Sequence, residues 1–368
     1  MRTLRVTAVA LAAILGAGGT AQAEESVAGE LPSVRHLDQI TFADDLTFGG
    51  HRVGGLSGID YWAGGDAYLA ISDNRGEEGP ARAYTLNIPV RADGKLGVPE
   101  FRGLIELLDK DGSPYAARTL DPESIRWTPD HQGFVYTSEG EAKAGQPGFI
   151  REATLDGAFV REVPVQDAFT PATDGAGQQV SGIRDNLGFE SMDLAGDGST
   201  VVAVSENALV QDGPAAAMEA ESRARLVQVQ RGSGKELAEY LYPVSRVGLG
   251  EIPSTTGVSE ILALDGDRYL TLERSVVPVL GFTARIFESS TAGATAVTGQ
   301  DSAPADAVPM SKRLLFDFRA AGIDPQCVEG MTWGPTLEDG SRSLIVVADN
   351  NFGRAGRTTF HLLAVAGL

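Results

Sequence analysis

The 368-residue chain contains a single cysteine, Cys327, so it cannot form an internal disulfide and must depend on a packed core. Its four histidines are scattered without the spacing of zinc ligands: His36, His51, His131 and His361. The sequence also lacks a His-Glu-x-x-His pair and a Gly-x-Ser-x-Gly turn. These absences argue against a histidine-bound zinc site and against the serine nucleophile of α/β-hydrolases.

Positive charge is scarce in this chain. Lysine and arginine together number 30, against 50 aspartate and glutamate residues, which gives a formal net charge of −20 and a pI of about 4.6. A nucleic-acid backbone or an anionic lipid surface would repel such a protein, so we expect neither as a partner. Acidity of this degree is compatible with cation binding, although most of the charges are expected to form a solvated surface.

Long apolar runs are absent except near the start of the chain. Arg2 and Arg5 precede a short apolar stretch at residues 6–15, and Ala21-Gln22-Ala23 has the small-x-small pattern of a cleavage site. The stretch is too short to span a bilayer and is typical of a secretory signal peptide, residues 1–23. We therefore predict a periplasmic or secreted protein without a membrane anchor, folded as one domain over residues 24–368.

A module recurs five times after residue 50. Each copy begins with an acidic or small residue followed by an aliphatic one, passes through a turn, and ends in an apolar run that stops at an acidic residue. The copies start at residues 57, 123, 190, 259 and 329, so the period is 66 to 70 residues. A steady period of β-type units is the signature of a propeller and predicts an all-β fold.

Each repeat contains four candidate strands, which predicts a single β-propeller with five four-stranded blades. The last repeat has only three strands, and an unassigned strand at residues 34–42 precedes the first repeat. We predict that this N-terminal strand pairs with residues 358–365 and closes the last blade, because closure protects exposed sheet edges. Six blades are the alternative, if one long connection hides a degenerate blade.

The repeat places acidic residues at the same edge of every blade. Strands one and two run antiparallel, so the start of the first lies beside the end of the second. The residues at these two places form five pairs: Ser57 with Asp73, Glu123 with Glu139, Glu190 with Glu206, Ser259 with Glu273, and Glu329 with Asp349. Because the first strands of a propeller line its central channel, we expect the pairs to converge on one mouth.

Carboxylates held this close together need compensating cations, and two kinds fit. One is arginine, because an arginine recurs at or before the third strand of each repeat: Arg82, Arg151, Arg225, Arg285 and Arg357. These arginines are predicted to clamp the acids that end strand two, namely Glu139, Glu206 and Glu273. The other is Ca²⁺, whose oxygen ligands would be the strand-one acids Glu123, Glu190 and Glu329.

As an ordered set, these motifs resemble the phytase-like family of exported bacterial proteins. The matching segments are Leu56-Ser57-Gly58-Ile59 with Ser72-Asp73-Asn74-Arg75, Asp121-Pro122-Glu123-Ser124-Ile125 with Ser138-Glu139-Gly140, Gly188-Phe189-Glu190-Ser191-Met192 with Ser205-Glu206-Asn207, Ser259-Glu260-Ile261 with Leu272-Glu273-Arg274-Ser275, and Val328-Glu329-Gly330-Met331-Thr332 with Ala348-Asp349-Asn350-Asn351-Phe352. The resemblance covers about residues 50–365. It implies a β-propeller that hydrolyses phosphate or carboxylic esters.

The predicted function is therefore that of an exported hydrolase acting on phosphomonoesters or small esters. The predicted Ca²⁺ ligands are Glu123, Glu190, Glu329 and Asp349, of which the last two are also the predicted catalytic residues. The predicted substrate-binding residues are Arg75, Arg274, Asn74 and Asn350. Two alternatives stay open: a non-catalytic periplasmic binding or scaffold propeller, and a calcium propeller enzyme of the lactonase type.

Overall fold

The computed structural model describes residues 32–217, 220–246, 255–277 and 281–368. The signal peptide expected at residues 1–23 lies outside these ranges and remains a prediction. The described residues are organised in β-strands, and their only helices are short 3-10 turns: Ala142–Ala144, Asp167–Phe169, Val210–Asp212 and Asn351–Gly353. Within the described ranges, no helix has the length and apolar character needed to cross a membrane.

Five antiparallel four-stranded sheets form the blades of one propeller. The first strands of the described residues are β1 (Ser33–Thr41), β2 (Thr47–Phe48) and β3 (His51–Arg52). Blade one contains β4 (Leu56–Trp62), β5 (Ala67–Ser72), β6 (Arg82–Asn87) and β7 (Glu100–Glu106). Blade two contains β8 (Pro122–Trp127), β9 (Gly133–Ser138), β10 (Phe149–Thr154) and β11 (Phe159–Val163), and is followed by a small hairpin of β12 (Ala172–Thr173) and β13 (Gln179–Ser181).

The remaining three blades follow in chain order. Blade three contains β14 (Phe189–Ala195), β15 (Thr200–Ser205), β16 (Ser222–Gln230) and β17 (Glu236–Val244). Blade four contains β18 (Thr255–Asp265), β19 (Arg268–Val277), β20 (Gly281–Ser290) and β21 (Ser311–Asp317). Blade five contains β22 (Cys327–Thr336), β23 (Arg342–Asp349) and β24 (Thr359–Ala366), with β1 as its fourth strand.

The N-terminal strand closes the last blade, which confirms the predicted closure. β1 pairs antiparallel with β24 from Ser33 opposite Ala366 to Thr41 opposite Thr359. β1 thus takes the outermost position, the place that the fourth strand holds in the other blades. The described four-stranded sheets number five, so the alternative of six blades is wrong.

Five of the six hydrophobic clusters in the described residues lie between neighbouring blades, one at each contact between two blades. The second strand of blade two, β9, is buried at every position. Phe134 and Tyr136 pack with Ile71 of blade one, whereas Val135 packs with Val201 of blade three. Because both faces of a second strand are covered, its sequence is a continuous apolar run instead of an alternating one.

The axis between the five first strands is filled by Arg126, whose side chain is 2% exposed. Its guanidinium donates to the carbonyls of Ile59 in blade one at 3.2 Å and Ile261 in blade four at 3.1 Å. It also pairs with Asp193 of blade three and Glu260 of blade four, each at 2.9 Å. Contacts with three other blades place this side chain on the axis. It therefore blocks the passage between the first strands, and the mouth is open at one end only.

Candidate functional site

A β-bulge interrupts the first strand of every blade near the mouth. The register shifts lie between Leu56 and Gly58, Pro122 and Ile125, Phe189 and Ser191, Val258 and Glu260, and Val328 and Gly330. The residues left out of register include the five that the repeat predicts for strand one, which we call the inner ring: Ser57, Glu123, Glu190, Ser259 and Glu329. Bulges commonly re-aim side chains beside active sites, and here one recurs in all five blades.

A second ring follows from the same register. In blade one, Leu56 lies opposite Ser72, and in blade four the equivalent Val258 lies opposite Glu273. The residue that follows this opposed residue on the second strand therefore occupies the same structural position in every blade. We call these residues the outer ring: Asp73, Glu139, Glu206, Arg274 and Asp349.

The register corrects the predicted pair of Ser259 with Glu273. Matching the repeats by residue type placed Glu273 in the ring, but Arg274 holds that position. The Glu273 carboxylate accepts a hydrogen bond from the Tyr242 hydroxyl at 2.8 Å and pairs with Lys312. Its partners belong to the outer strands of blades three and four, so Glu273 is not part of the ring.

The predicted arginine clamp on the strand-two acids is also wrong. Arg225 pairs instead with Glu239 of the fourth strand at 3.0 Å and with Asp212 at 2.6 Å. Two other periodic arginines likewise reach acids of their fourth strands, Arg151 to Glu162 and Arg285 to Asp317. In blades two, three and four the repeated arginine therefore joins strands three and four, whereas Arg82 of blade one donates to the Tyr84 hydroxyl and to loop carbonyls.

Five of the ten ring residues line a cavity of about 530 Å³: Asp73, Glu123, Glu190, Arg274 and Glu329. Among the described residues, eight carboxylates form three clusters in which one oxygen of each member lies within 4.8 Å of the others. We call them the first, second and third clusters: Asp73, Glu329 and Asp349; Asp121, Glu123 and Glu139; and Glu139, Glu190 and Glu206. Burial raises the pKa of Asp121 and of Glu206 to about 7, so these acids are costly to ionise without a cation.

The first cluster contains two buried oxygens that have no hydrogen-bond partner among the described residues, Glu329 Oε2 and Asp349 Oδ1. Asp349 is completely buried and Glu329 is 7% exposed. The second oxygen of each acid is engaged, because Asn351 N–H donates to Asp349 at 2.7 Å and the Cys327 thiol donates to Glu329 at 3.3 Å. Unpaired buried oxygens are rare, and three close carboxylates fit a hard divalent cation such as Ca²⁺.

Burial also dominates the electrostatics of the first cluster. It raises the pKa of Asp73 to about 6 and that of Glu329 to about 7, against the lowering effect of four nearby arginines on Asp73 and of Arg274 on Glu329. The pKa of Asp349 is raised well above its ordinary range by burial and by the charges of the other two acids. A bound divalent cation would remove this repulsion.

Arg274 contacts the third cluster and reaches the first. Its Nη2 atom lies 3.5 Å from Glu190 Oε1, 3.5 Å from Glu329 Oε1 and 3.9 Å from Glu206 Oε1. The structure thus places the predicted substrate-binding residue Arg274 at the centre of the mouth, where it lines the cavity.

Arg75 forms an ion pair with Asp121 of the second cluster and also lines the cavity. In the same cluster Glu123 accepts a hydrogen bond from Ser57 of the inner ring. The four predicted Ca²⁺ ligands are therefore separated: Glu329 and Asp349 share the first cluster, while Glu123 lies in the second and Glu190 in the third.

Asn74 and Asn350 do not offer free amides to the cavity. The Asn74 amide donates to two carbonyls and accepts from two N–H groups of the loop at residues 77–80. The Asn350 amide accepts from Phe352 N–H at 2.9 Å and donates to the Val53 carbonyl at 3.3 Å. Both residues hold loops at the rim, Asn74 also lines the cavity, and the contact of either residue with a substrate stays a prediction.

One wall of the cavity is apolar and comes from blade four. β19 continues four residues beyond Glu273, to Val277, whereas β5 of blade one ends at the equivalent Ser72. In this extension Val276 lies opposite Phe282 of β20, and both residues line the cavity. Sequence reasoning missed the wall because the extension has no counterpart in the other repeats.

Sequence reasoning also missed Asp121 and Cys327, which line the cavity. Both hold the position two residues before the inner ring, where the other blades have glycine: Gly55, Gly188 and Gly257. A Cβ on Gly55, whose φ is +65°, would overlap the Asp73 carboxylate, so the glycine makes room for an outer-ring acid. A departure from glycine at this repeated position was the signal available in the sequence.

A search of curated protein sequences found no match. Among solved structures, the chain is similar to an endo-1,4-β-xylanase from Bacteroides thetaiotaomicron, at 14% identity and a TM-score of 0.46, covering 86% of this chain and 95% of the other. It is also similar to a bifunctional GH43-CE protein from Bacteroides eggerthii, at 10% identity and a TM-score of 0.42, covering 84% of this chain but 33% of the other. The family described as "Esterase-like activity of phytase" matches residues 51–352, which hold both rings and all three clusters, so the chain belongs to the phytase-like family, as the repeat motifs predict.

Proposed function

We propose that this protein hydrolyses small organic esters, either phosphomonoesters or carboxylic esters, with a divalent cation bound at the first cluster. The observation that carries the proposal is the pair of buried, unpartnered oxygens of Glu329 and Asp349. Ca²⁺ is the ion we propose, because carboxylate oxygens are its preferred ligands and the cluster contains no nitrogen or sulfur ligand. Membership of the phytase-like family supports ester hydrolysis.

Different residues at the mouth would hold the cation and bind the substrate in such a reaction. Asp73, Glu329 and Asp349 would hold the cation, which when bound supplies charge neutralisation and lowers the pKa of water. Arg274 and Arg75 line the same cavity and would bind the anionic oxygens of the substrate, fixing the ester bond beside the first cluster. The closed axis at Arg126 would let substrate enter and product leave at one end only.

The apolar wall favours a substrate whose ester carries an aryl or alkyl group. Val276 and Phe282 would offer such a group an apolar surface within the cavity that the charged residues line. Phytate has a phosphate on every ring carbon and no comparable apolar part. We therefore propose small organic esters, and not phytate, as the substrate class.

We also propose that the protein acts in the periplasm or outside the cell. Residues 1–23 have the charge, apolar stretch and cleavage pattern of a signal peptide. Mass spectrometry of the protein recovered from the producing cells tests this, because export predicts a chain that starts near Glu24.

The catalytic proposal is tested with an aryl phosphate, a neutral aryl ester and a lactone, before and after chelation and after return of Ca²⁺. Activity is expected only with Ca²⁺. Glu329→Gln and Asp349→Asn should lower it by at least about 100-fold and abolish the Ca²⁺-dependent rise in Tm. The matched control is Glu338→Gln, an exposed residue of blade five at the edge opposite the mouth.

Each outcome decides between the functions considered. Activity that survives chelation would exclude a catalytic cation. Turnover of the lactone alone would move the substrate class to lactones. If the folded, Ca²⁺-bound protein turned over none of the three compounds, a non-catalytic binding propeller would replace the hydrolase.

A further inference from the structure

The outer ring contains one reversal of charge. Four of its five equivalent positions carry carboxylates: Asp73, Glu139, Glu206 and Asp349. The fifth, in blade four, carries Arg274, because the register there places Glu273 one residue short of the ring. A guanidinium thus stands where the fivefold pattern would otherwise place an acid.

The contacts of Arg274 are those of a shared counter-ion. Its Nη2 atom lies 3.5 Å from Glu190 and Glu329 and 3.9 Å from Glu206, and its Nε has no hydrogen-bond partner among the described residues. A bidentate clamp on one carboxylate would give two bonds of roughly 3 Å or less. The guanidinium instead sits among three acids, as a divalent cation does in a carboxylate cluster.

The third cluster has the spacing of a cation site of its own. One oxygen each from Glu139, Glu190 and Glu206 lies within 4.8 Å of the others. Two of these acids contact Arg274. The second cluster already holds a guanidinium, because Arg75 pairs with Asp121. The first cluster keeps two oxygens without a hydrogen-bond partner, Glu329 Oε2 and Asp349 Oδ1, and Arg274 reaches only its Glu329 Oε1.

We propose that Arg274 replaces one divalent cation, so that the mouth binds a single Ca²⁺, at the first cluster. This inference rests on the proposed Ca²⁺ site and adds its stoichiometry and the reason for it. A substrate oxygen would then lie between an exchangeable ion and a fixed guanidinium. Replacing the guanidinium by a neutral side chain would free the third cluster to bind a second ion.

The test counts bound ions in metal-free protein titrated with Ca²⁺, by calorimetry and by native mass spectrometry. The wild type should bind one ion and Arg274→Gln two. Arg274→Lys keeps the charge and should stay at one. Arg354→Gln is the matched control, because Arg354 lines the same cavity and is 72% exposed, and it should also stay at one. Adding Glu206→Gln to Arg274→Gln should return the count to one.

Two counts of bound ions would overturn the inference and leave the Ca²⁺ site standing: two or more ions in the wild type, or one ion in a folded Arg274→Gln protein. If metal-free Arg274→Gln fails to fold, Ca²⁺ should restore its folding, because the second ion then compensates the third cluster; a variant that stays unfolded in Ca²⁺ would overturn the inference. A wild type that binds no ion would instead refute the Ca²⁺ site of the proposed function, and this inference with it.

Discussion

His361 lies in β24 beside the closing strand, and none of its surface is exposed. Its Nε2 is 3.2 Å from the Pro325 carbonyl and its Nδ1 is 3.3 Å from His36 Nε2. Because the carbonyl can only accept, Nε2 carries the proton and Nδ1 accepts from His36. A second proton would occupy Nδ1 and break that bond. Burial, reinforced by His36, lowers the pKa of His361 to about 4.

We predict that His361 destabilises the folded state as the pH falls from 6.5 to 4. The unfolded chain takes up the proton near the ordinary pKa of 6.5 and the folded chain only near 4, so protonation favours unfolding within this window. The lost stability is about 3 kcal/mol. His361→Gln, which can keep both hydrogen bonds, should lack this part of the pH dependence in urea unfolding curves. Parallel pH profiles for the two proteins would contradict the prediction.

The residue types of the repeat predicted which region forms the mouth, but they did not predict which residue of each second strand lies in the outer ring. Glu329 and Asp349 could be placed there because acids recur at the same two positions of each repeat. Arg274 could not be placed there, because matching acid to acid selected Glu273 and concealed the change from a negative to a positive charge. The partners of each carboxylate depend on distances between blades, which a repeat pattern does not contain.

The first strand of each blade is the element that shapes both the mouth and the axis. Close to its bulge, neighbouring first strands approach one another tightly. A Cβ on Gly58 of β4 would lie 2.6 Å from the Glu123 carbonyl oxygen and 2.8 Å from the Ser124 Cα. These atoms belong to the backbone of β8 and cannot rotate away, so Gly58 sets the spacing of blades one and two.

We predict that Gly58→Ala destabilises the protein by about 1–3 kcal/mol, because the added methyl group forces two backbones apart. The shift would also move Glu123 of the second cluster, whereas Ca²⁺ binding at the first cluster should change little. Denaturant unfolding and calorimetric titration measure the two effects. The control is Gly266→Ala, a turn position with no atom within 4 Å of the added Cβ. Equal losses of stability in both variants would contradict the packing argument.

For the whole molecule, the period, the blade count and the N-terminal closure were predictable because each follows from a repeated strand pattern. The extension of blade four and the plug at Arg126 were not, since each occurs once. A repeat reveals what the blades share, whereas the function depends on where individual blades depart from it.

We predict that deleting residues 32–42 lowers Tm by on the order of 10 °C or more, because β24 loses one of its two partner strands and becomes an exposed edge. The deletion also removes Leu37 and Ile40 from the cluster between blades five and one. Differential scanning calorimetry of the truncated and full proteins measures the change.

Adding the deleted strand back as a peptide is the control for this experiment. A synthetic peptide of residues 32–42 should restore part of the lost Tm in a concentration-dependent way, since it binds only the folded ring. A peptide of the same composition in scrambled order should not. An unchanged Tm after the deletion would show that β1 does not hold the ring closed.

The β1–β24 seam also determines how the protein responds to force. Ser33 and Ala366 face each other at one end of the seam, while Thr41 and Thr359 face each other at the other end. Tension applied through residues 33 and 366 therefore acts on one end of the strand pair. It would open the backbone hydrogen bonds one after another, like a zipper, and would not load them all in shear. The β1–β24 pair, which completes the ring, would therefore be the first part of the ring to separate when residues 33 and 366 are pulled apart.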